Sequence, residues 1–271
     1  MATKWTKIEE QVKKKELREL YVGQNKSIGD IATILKINES TVYDRLIRLK
    51  IPINRSAKKG FNNIRTDVKI PGFSANLAEF MGIILGDGHI TTSQITVTLG
   101  KKEEQFVDYV VDLMEKLFNV RPKKAYTKRG DIVVYLGSVR LVRWLFSMGM
   151  VSNKVKYQVD FPKWIFDRRE FIKKALRGFF DTDGSVYKLR FGTQLSFCNK
   201  SRPLLNSTHK MLVLMGFSPS KISNDKNIYL TKKKDLVQYH KVIGFGNKKH
   251  EQRFLEFINM GASHSGNCSR L

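Results

Sequence analysis

The sequence is poor in cysteine and histidine and contains no long apolar run. The two cysteines, Cys198 and Cys268, do not have the spacing of a metal-binding motif, and they favour a reducing compartment. The five histidines form no pair at helical spacing, so a zinc nuclease centre is not expected. No apolar run reaches the roughly 18 residues that a membrane-spanning helix needs, and the first residues do not resemble a signal peptide. These shortages predict a soluble intracellular protein with no membrane partner.

Negative charge is also in short supply. The 271 residues include 49 lysines and arginines but only 25 aspartates and glutamates, which gives a formal net charge of +24. Such an excess is typical of proteins that bind a polyanion, most often a nucleic acid, although a basic ribosomal-type protein has the same composition. The length suggests about two domains, and a hydrophobic content of 41% is enough to build real cores.

Two short segments share an unusual design. Phe80–Gly88 and Leu176–Gly184 are both apolar, both carry small residues four apart, and both end in Asp-Gly. Residues four apart share one face of a helix, and small residues there let two helix backbones approach closely. Each helix is predicted to end near its last glycine, because glycine suits the left-handed conformation past a helix end. If the helices pack together, Asp87 and Asp183 lie side by side, and their repulsion favours a cation such as Mg²⁺ between them.

The two segments resemble the paired motifs of the LAGLIDADG homing endonucleases. The second copy keeps both acidic positions of the nine-residue pattern, Asp181 and Asp183, whereas the first copy has Leu85 at the earlier position. The resemblance covers about residues 77–258. It implies that only the later acid of each motif binds metal, so Asp181 is not expected to be a ligand. The implied metal site consists of the carboxylates of Asp87 and Asp183 and the backbone carbonyls of Gly86 and Thr182.

The resemblance also implies an activity. Members of this family hydrolyse phosphodiester bonds of double-stranded DNA with Mg²⁺ or another divalent cation such as Mn²⁺, whereas Ca²⁺ is a non-productive substitute. Each half is expected to serve one strand, which gives a double-strand break across the minor groove with 3′ overhangs. Gly100 stands where relatives often have a polar side chain, and this predicts a weaker first centre. The basic residues expected to stabilise the reacting phosphate or organise water are Lys101 and Lys200, with Arg140 and Lys234 as second choices.

The stretches that follow the two motifs have the same order of elements. Period-two alternation after each Asp-Gly predicts half-buried strands, and amphipathic helices are predicted at about 103–118 and 202–215. Each half therefore reads helix–strand–strand–helix–strand–strand–helix, in agreement with the αββαββα unit of the family. The predicted fold class is α+β, a monomer with internal pseudo-twofold symmetry and two saddle-shaped antiparallel sheets. The polar side chains predicted to face DNA from these sheets are Gln94, Thr96, Thr98, Lys188, Arg190, Gln194 and Ser196.

The N-terminal part has a different pattern. After a charged helix over residues 1–22, two short helices are predicted across a tight turn, with Ser27 and Asn38 as N-caps and Ile34 among the packed residues. This spacing is typical of a helix-turn-helix, and a three-helix bundle without a DNA role is the alternative. The second helix offers Ser40, Thr41, Tyr43, Arg45 and Arg48 as DNA-reading side chains. The predicted segments are a helix-turn-helix domain (1–53), a basic linker (54–75), two LAGLIDADG halves (76–160 and 161–260) and a tail (261–271).

Three other functions fit parts of this pattern. A catalytically silent DNA-binding transcription regulator tends to lose the metal carboxylates, whereas Asp87 and Asp183 are both present. An intron RNA maturase, which would bind its own intron RNA on the same saddle, stays open. An intein is expected to have a nucleophile at its first residue and an adjoining His-Asn near its end, and the sequence has neither, so we expect a free-standing protein.

Overall fold

The computed structural model describes residues 5–24, 26–51, 65, 67–190 and 192–264, and the chain divides into two compact units, residues 1–62 and 63–271. Most of the predicted linker and the last seven residues of the predicted tail lie outside the described residues. Within the part of the chain that is described, no helix is long and apolar enough to cross a membrane.

In its described residues, the N-terminal unit contains three α-helices. They are α1 (Lys7–Arg18, continued by a π-helical turn over Glu19–Gly23), α2 (Ile28–Leu35) and α3 (Glu39–Arg48). Ser27 caps α2 as predicted, since its Oγ accepts the Asp30 N–H at 3.1 Å and the Asp30 carboxylate accepts the Ser27 N–H. Asn38 stands at the start of α3, but its side chain makes no capping bond. The prediction that Ile34 is packed is wrong, because its side chain lies on the outer face of α2 and is 49% exposed.

The larger unit repeats one order of elements. The first half contains α4 (Ala75–Asp87), β1 (Gly88–Ile90), β2 (Gln94–Leu99), α5 (Glu104–Phe118), β3 (Lys123–Tyr126), β4 (Ile132–Gly137) and α6 (Val139–Ser147). After a short 3₁₀ helix (Lys163–Asp167), the second half contains α7 (Arg169–Asp183), β5 (Gly184–Leu189), β6 (Gly192–Cys198), α8 (Arg202–Leu214), β7 (Asn227–Leu230), α9 (Lys233–Val242) and α10 (Lys248–His264). Helix α10 therefore includes the first four residues of the predicted tail.

The two sheets are antiparallel, and the strand order of the first is β1-β2-β4-β3 and of the second β5-β6-β7. The first half has the predicted αββαββα order. Among the described residues, the second half has no strand that corresponds to β3. Instead, Ser220 runs beside β7, where its N–H donates to the Tyr229 carbonyl at 2.9 Å and its Oγ accepts the Tyr229 N–H at 3.0 Å. The duplication is therefore complete in the helices and incomplete in the sheets.

Helices α4 and α7 pack backbone to backbone through their small residues. A Cβ on Gly82 would lie 2.6 Å from the Phe179 nitrogen, and one on Gly178 would meet the carbonyl group of Glu79. Further along, a Cβ on Gly86 would lie 2.7 Å from the Thr182 Cβ. The predicted face of small residues is thus the contact between the two helices. Because this contact runs along both helices, their last turns lie side by side.

The predicted conformation of the glycines that end these helices is wrong. Gly88 (φ −80°) and Gly184 (φ −91°) are extended, not left-handed. Their lack of a side chain is needed for space, because a Cβ on Gly88 would lie 2.5 Å from the Ile84 Cα, and one on Gly184 would lie 2.5 Å from the Phe180 ring. Each chain therefore passes directly from its helix into a strand, and the last helical residue lies at the junction between helix pair and sheet.

Candidate active site at the paired helix ends

Asp87 and Asp183 are the last residues of α4 and α7, and the close packing of the helices brings them together. A Cβ on Gly86 would lie 3.3 Å from the Asp183 Cγ, so the carboxyl group of Asp183 lies against the final turn of α4. Glycine at position 86 leaves room for it. The site therefore depends on the small-residue spacing that defines both motifs.

Asp87 and Asp183 are neighbouring carboxylates, and each lies at the negative end of its helix dipole, so both environments disfavour their charged forms. Although part of Asp87 is open to solvent, enclosure by the helix ends and then the charge of Asp183 raise its pKa to about 7. Burial raises the pKa of Asp183 to about 6, against the lowering effects of the Asn199 amide and the Lys154 ammonium. Near neutral pH a nearby cation therefore favours the fully ionised pair.

Lys154 supplies such a cation, and the sequence analysis missed it. Its Nζ donates to the carbonyl oxygens of Ile84 at 3.2 Å, of Leu85 at 3.0 Å and of Gly86 in the last turn of α4. Its charge lowers the pKa of Asp87 and Asp183. A single lysine in the polar turn after α6 carries no motif signal, since only the fold brings it to α4.

The donor set at this place fits a divalent metal ion. It offers two carboxylates and backbone carbonyl oxygens, which are the hard ligands that Mg²⁺ prefers, and the chain already seats an ammonium among them. Among the described residues, no group of three or more His, Cys, Asp or Glu side chains could hold a metal. A site with only two carboxylates suits an ion that keeps several waters or binds substrate phosphate.

The surroundings of the two acids differ. Asn199, the residue after β6, donates its Nδ2 to the Asp183 Oδ2 at 2.6 Å. The matching residue after β2 is Gly100, which has no side chain to offer to Asp87. Its N–H instead donates to the Glu103 Oε2 at 2.9 Å, and the charge of Glu103 raises the pKa of Asp87 further. The two acids therefore have chemically unequal neighbours, and the prediction of a weaker first centre stays a prediction.

The basic residues predicted to be catalytic lie just after strands, either in turns or in the first turn of a helix. Lys101 and Lys200 follow β2 and β6, and both are exposed. Arg140 and Lys234 are exposed in the first turns of α6 and α9. Their catalytic roles stay predictions.

The sheet faces agree with the sequence pattern in the first half only. Ile95, Val97 and Leu99 are buried, so Gln94, Thr96 and Thr98 lie on the opposite face. In the second sheet Tyr187 pairs with Gln194 and Lys188 pairs with Thr193, which places Lys188 on the opposite face from Gln194. Ser196 is only 3% exposed, so its prediction as an open polar contact is wrong. Arg190 lies in the turn after β5.

The candidate DNA-reading residues of the N-terminal unit lie on one helix. Ser40, Tyr43 and Arg48 are exposed on α3, and Thr41 and Arg45 are half-buried. The guanidinium groups of Arg48 and Arg45 lie over the Trp5 ring, at 4.5 and 5.2 Å from its centroid. These two arginines are thus held by an aromatic stack, which the sequence analysis did not foresee.

Comparisons with known proteins agree with this architecture. Residues 170–258 match the family model of the LAGLIDADG-like domain. Among curated proteins, the chain is 23% identical over 191 residues to "Replication factor C small subunit" of Methanocaldococcus jannaschii, covering 69% of this chain and 10% of the relative. It is 25% identical over 256 residues to "DNA polymerase" of Thermococcus sp. (strain GE8), covering 85% of this chain and 14% of the relative. The chain thus spans only a small part of the length of the curated relatives that it matches.

Among solved structures, the crystal structure of I-DmoI in complex with DNA and Mn is similar, with a TM-score of 0.46, 16% identity, and coverage of 63% of this chain and 96% of that chain. The residues matched by the family model run from α7 into α10, and α4 with its sheet repeats the start of that pattern. Residues 170–258 of this chain are thus similar to the LAGLIDADG-like domain.

Proposed function

We propose that this protein is a site-specific homing endonuclease that makes a double-strand break in a long duplex DNA target by metal-dependent phosphodiester hydrolysis. The observation that carries the proposal is the meeting of Asp87 and Asp183 at the ends of two closely packed helices, with a lysine ammonium beside them. Holding two carboxylates so close together lowers the stability of the fold, and their raised pKa values reflect that cost. Such an arrangement indicates a functional site.

Asp87, Asp183 and the carbonyl oxygens of Gly86 and Thr182 are the proposed metal ligands. A bound Mg²⁺ would supply Lewis-acid stabilisation of the phosphate and a more acidic water. The Asn199 amide holds the Asp183 carboxylate in one orientation through its 2.6 Å hydrogen bond. Lys154 keeps positive charge where the reacting phosphate would gather negative charge, which favours the transition state over the bound substrate.

The rest of the surface fits a duplex DNA partner. The net charge of +24 favours phosphate contact. The polar face of the first sheet presents Gln94, Thr96 and Thr98 along strand β2, and antiparallel strands of this kind fit the major groove. We propose that the N-terminal unit extends this contact through α3 as a helix-turn-helix. Its exposed residues and its stacked arginines, Arg45 and Arg48, support that role.

The test is cleavage of a randomised duplex library by the full chain with Mg²⁺, followed by sequencing of the cut ends. Paired cuts at one sequence with 3′ overhangs are expected. Asp87→Asn and Asp183→Asn should each lower the rate of double-strand cleavage by at least about a hundredfold. Asp112→Asn, at an exposed position on α5, is the matched control and should cleave like the wild type. Full cleavage by either motif variant would contradict the metal assignment.

Binding and splicing assays with the same protein separate the alternatives. Tight and specific duplex binding without cleavage under any divalent cation would favour the silent regulator. Faster splicing of an intron RNA in the presence of the protein, without DNA cleavage, would favour the maturase.

A further inference from the structure

Glu103 makes contacts that have no role in the reaction proposed above. It comes from the turn between β2 and α5, and its Oε1 accepts hydrogen bonds from the Lys249 Nζ at 3.2 Å and from the Asn247 Nδ2 at 2.8 Å. Both partners belong to the second half of the unit. Glu103 Oε2 also accepts the N–H of Gly100, which follows β2, and Val97 of β2 pairs with Gly88, the residue after Asp87. Glu103 therefore ties the segment before and at the start of α10 to the end of the sheet at which Asp87 lies.

The segment that carries Lys249 is fixed from its other side by Asp181. The backbone N–H groups of Gly246 and Asn247 donate to the Asp181 carboxylate at 2.8 and 3.1 Å, and the Asp181 side chain is buried. The Asn247 Oδ1 in turn accepts the Lys249 N–H at 3.1 Å. The extra acid of the second motif thus anchors a turn, and that turn delivers the lysine to the opposite half.

Among the residues that the structure describes, the second centre has no equivalent arrangement. Aligning the two strand ends places Glu103 opposite Arg202, which pairs with Asp225 at 2.8 Å. There Asn199 contacts the Asp183 carboxylate directly. Asp183 is thus oriented by a neutral amide of its own half, whereas on the Asp87 side a lysine of the other half is held in place by Glu103.

Resting on the proposed function, we propose that Glu103 is a positioning residue that holds Lys249 beside Asp87 and so supports cleavage of only one of the two DNA strands. A lysine ammonium on a long stem has many positions open to it, and the Lys249 side chain is still 45% exposed. The contact with Glu103, whose side chain is 13% exposed, limits the positions open to the ammonium. Because Glu103 is held at the end of β2, these positions lie on the Asp87 side of the site. Consistent with this placement, the charge of Lys249 lowers the pKa of Asp87.

The test measures cleavage of the two strands separately, on a duplex that carries a different dye on each strand. Glu103→Gln and Lys249→Gln should each slow the same strand by about tenfold or more and change the other by less than about twofold. The double variant should be no slower than Lys249→Gln alone, because Glu103 acts through the lysine. Glu103→Asp should recover part of the rate. Glu104→Gln removes the same charge from the adjacent exposed position and should leave both rates unchanged.

Equal slowing of both strands by Glu103→Gln, or additive losses in the double variant, would overturn the proposal and indicate a purely structural role. Thermal unfolding of the wild type, Glu103→Gln, Lys249→Gln and the double variant gives a second measurement. The melting-temperature changes of the two single variants should be non-additive if the pair is in contact. If the wild type cleaves neither strand, the proposed nuclease function fails, and this thermal cycle alone then decides the Glu103–Lys249 contact.

Discussion

Replacing Gly178 by alanine tests the packing on which the site depends. Gly178 lies in the middle of α7, directly against the backbone of α4, where a Cβ would lie 3.0 Å from the Glu79 carbonyl carbon and 3.1 Å from the Ile83 nitrogen. These are main-chain atoms of a buried helix, so they cannot move aside as the tip of a flexible side chain can. The added methyl group must push the two helices apart.

The size of the effect follows from two opposing terms. Alanine is favoured over glycine inside a helix by about 1 kcal/mol. Overpacking a close contact costs about 1–3 kcal/mol or more, and rigid backbone on the far side places Gly178 at the upper end. We expect a net loss of about 2 kcal/mol, which in a unit of this size lowers the melting temperature by about 4–8 °C. Gly72→Ala, where a Cβ would meet nothing within 4 Å, is the control and should not be destabilised.

The assay is thermal unfolding of the full chain followed by near-ultraviolet circular dichroism, with DNA cleavage measured well below the transition. The cleavage rate of Gly178→Ala should fall even at temperatures where the variant is fully folded, because separating the helices also separates Asp87 from Asp183. A variant as stable as the wild type and fully active would refute the claim that close backbone packing builds the site.

Three further predictions concern single side chains. Without divalent ions, the raised pKa values of Asp87 and Asp183 stabilise the fold below about pH 4 and lose that contribution as pH rises toward 7, so scanning calorimetry should show less of this decline for Asp87→Asn. Asn199→Ala removes the amide that lowers the pKa of Asp183, so the acid limb of the cleavage pH profile should move to higher pH. Trp5→Ala removes the stack under Arg48, so fluorescence anisotropy should show weaker DNA binding while the cleavage rate at saturating protein stays the same.

The helix pair and its two acids could be predicted from the sequence because their signal is local. Small residues four apart define a contact face on any helix, and an acid at the end of that face has a fixed place relative to it. Most helices and strands on either side were likewise predictable from period and spacing, although the described part of the second half has no strand that corresponds to β3. These parts depend on neighbours within a few residues.

The parts that could not be predicted depend on distant contacts. Lys154 reaches α4 from a turn about seventy positions later, and nothing in its own neighbourhood marks it. The face on which Lys188 lies is set by the pairing of Leu189 with Gly192 across the hairpin, and shifting a register by one residue reverses every side chain. The helices do end at Gly88 and Gly184, but the predicted reason is wrong, because glycine is needed there to avoid atoms of the preceding helical turn.

The contact between the halves is also more selective than the repeated motif suggests. Glu79 on α4 is fully buried and accepts a hydrogen bond from the Tyr109 hydroxyl at 2.6 Å, and α7 supplies Lys174 at 2.7 Å and Arg177 at 3.2 Å. In the first motif, the positions that match Lys174 and Arg177 hold Ala78 and Met81. A first half paired with a copy of itself would therefore bury Glu79 without these cations, at a cost of about 3–5 kcal/mol for each uncompensated charge. The duplicated helices share one geometry, but their charges favour the pairing of unlike halves, and only that pairing brings Asp87 and Asp183 into one site with Lys154 and Lys249.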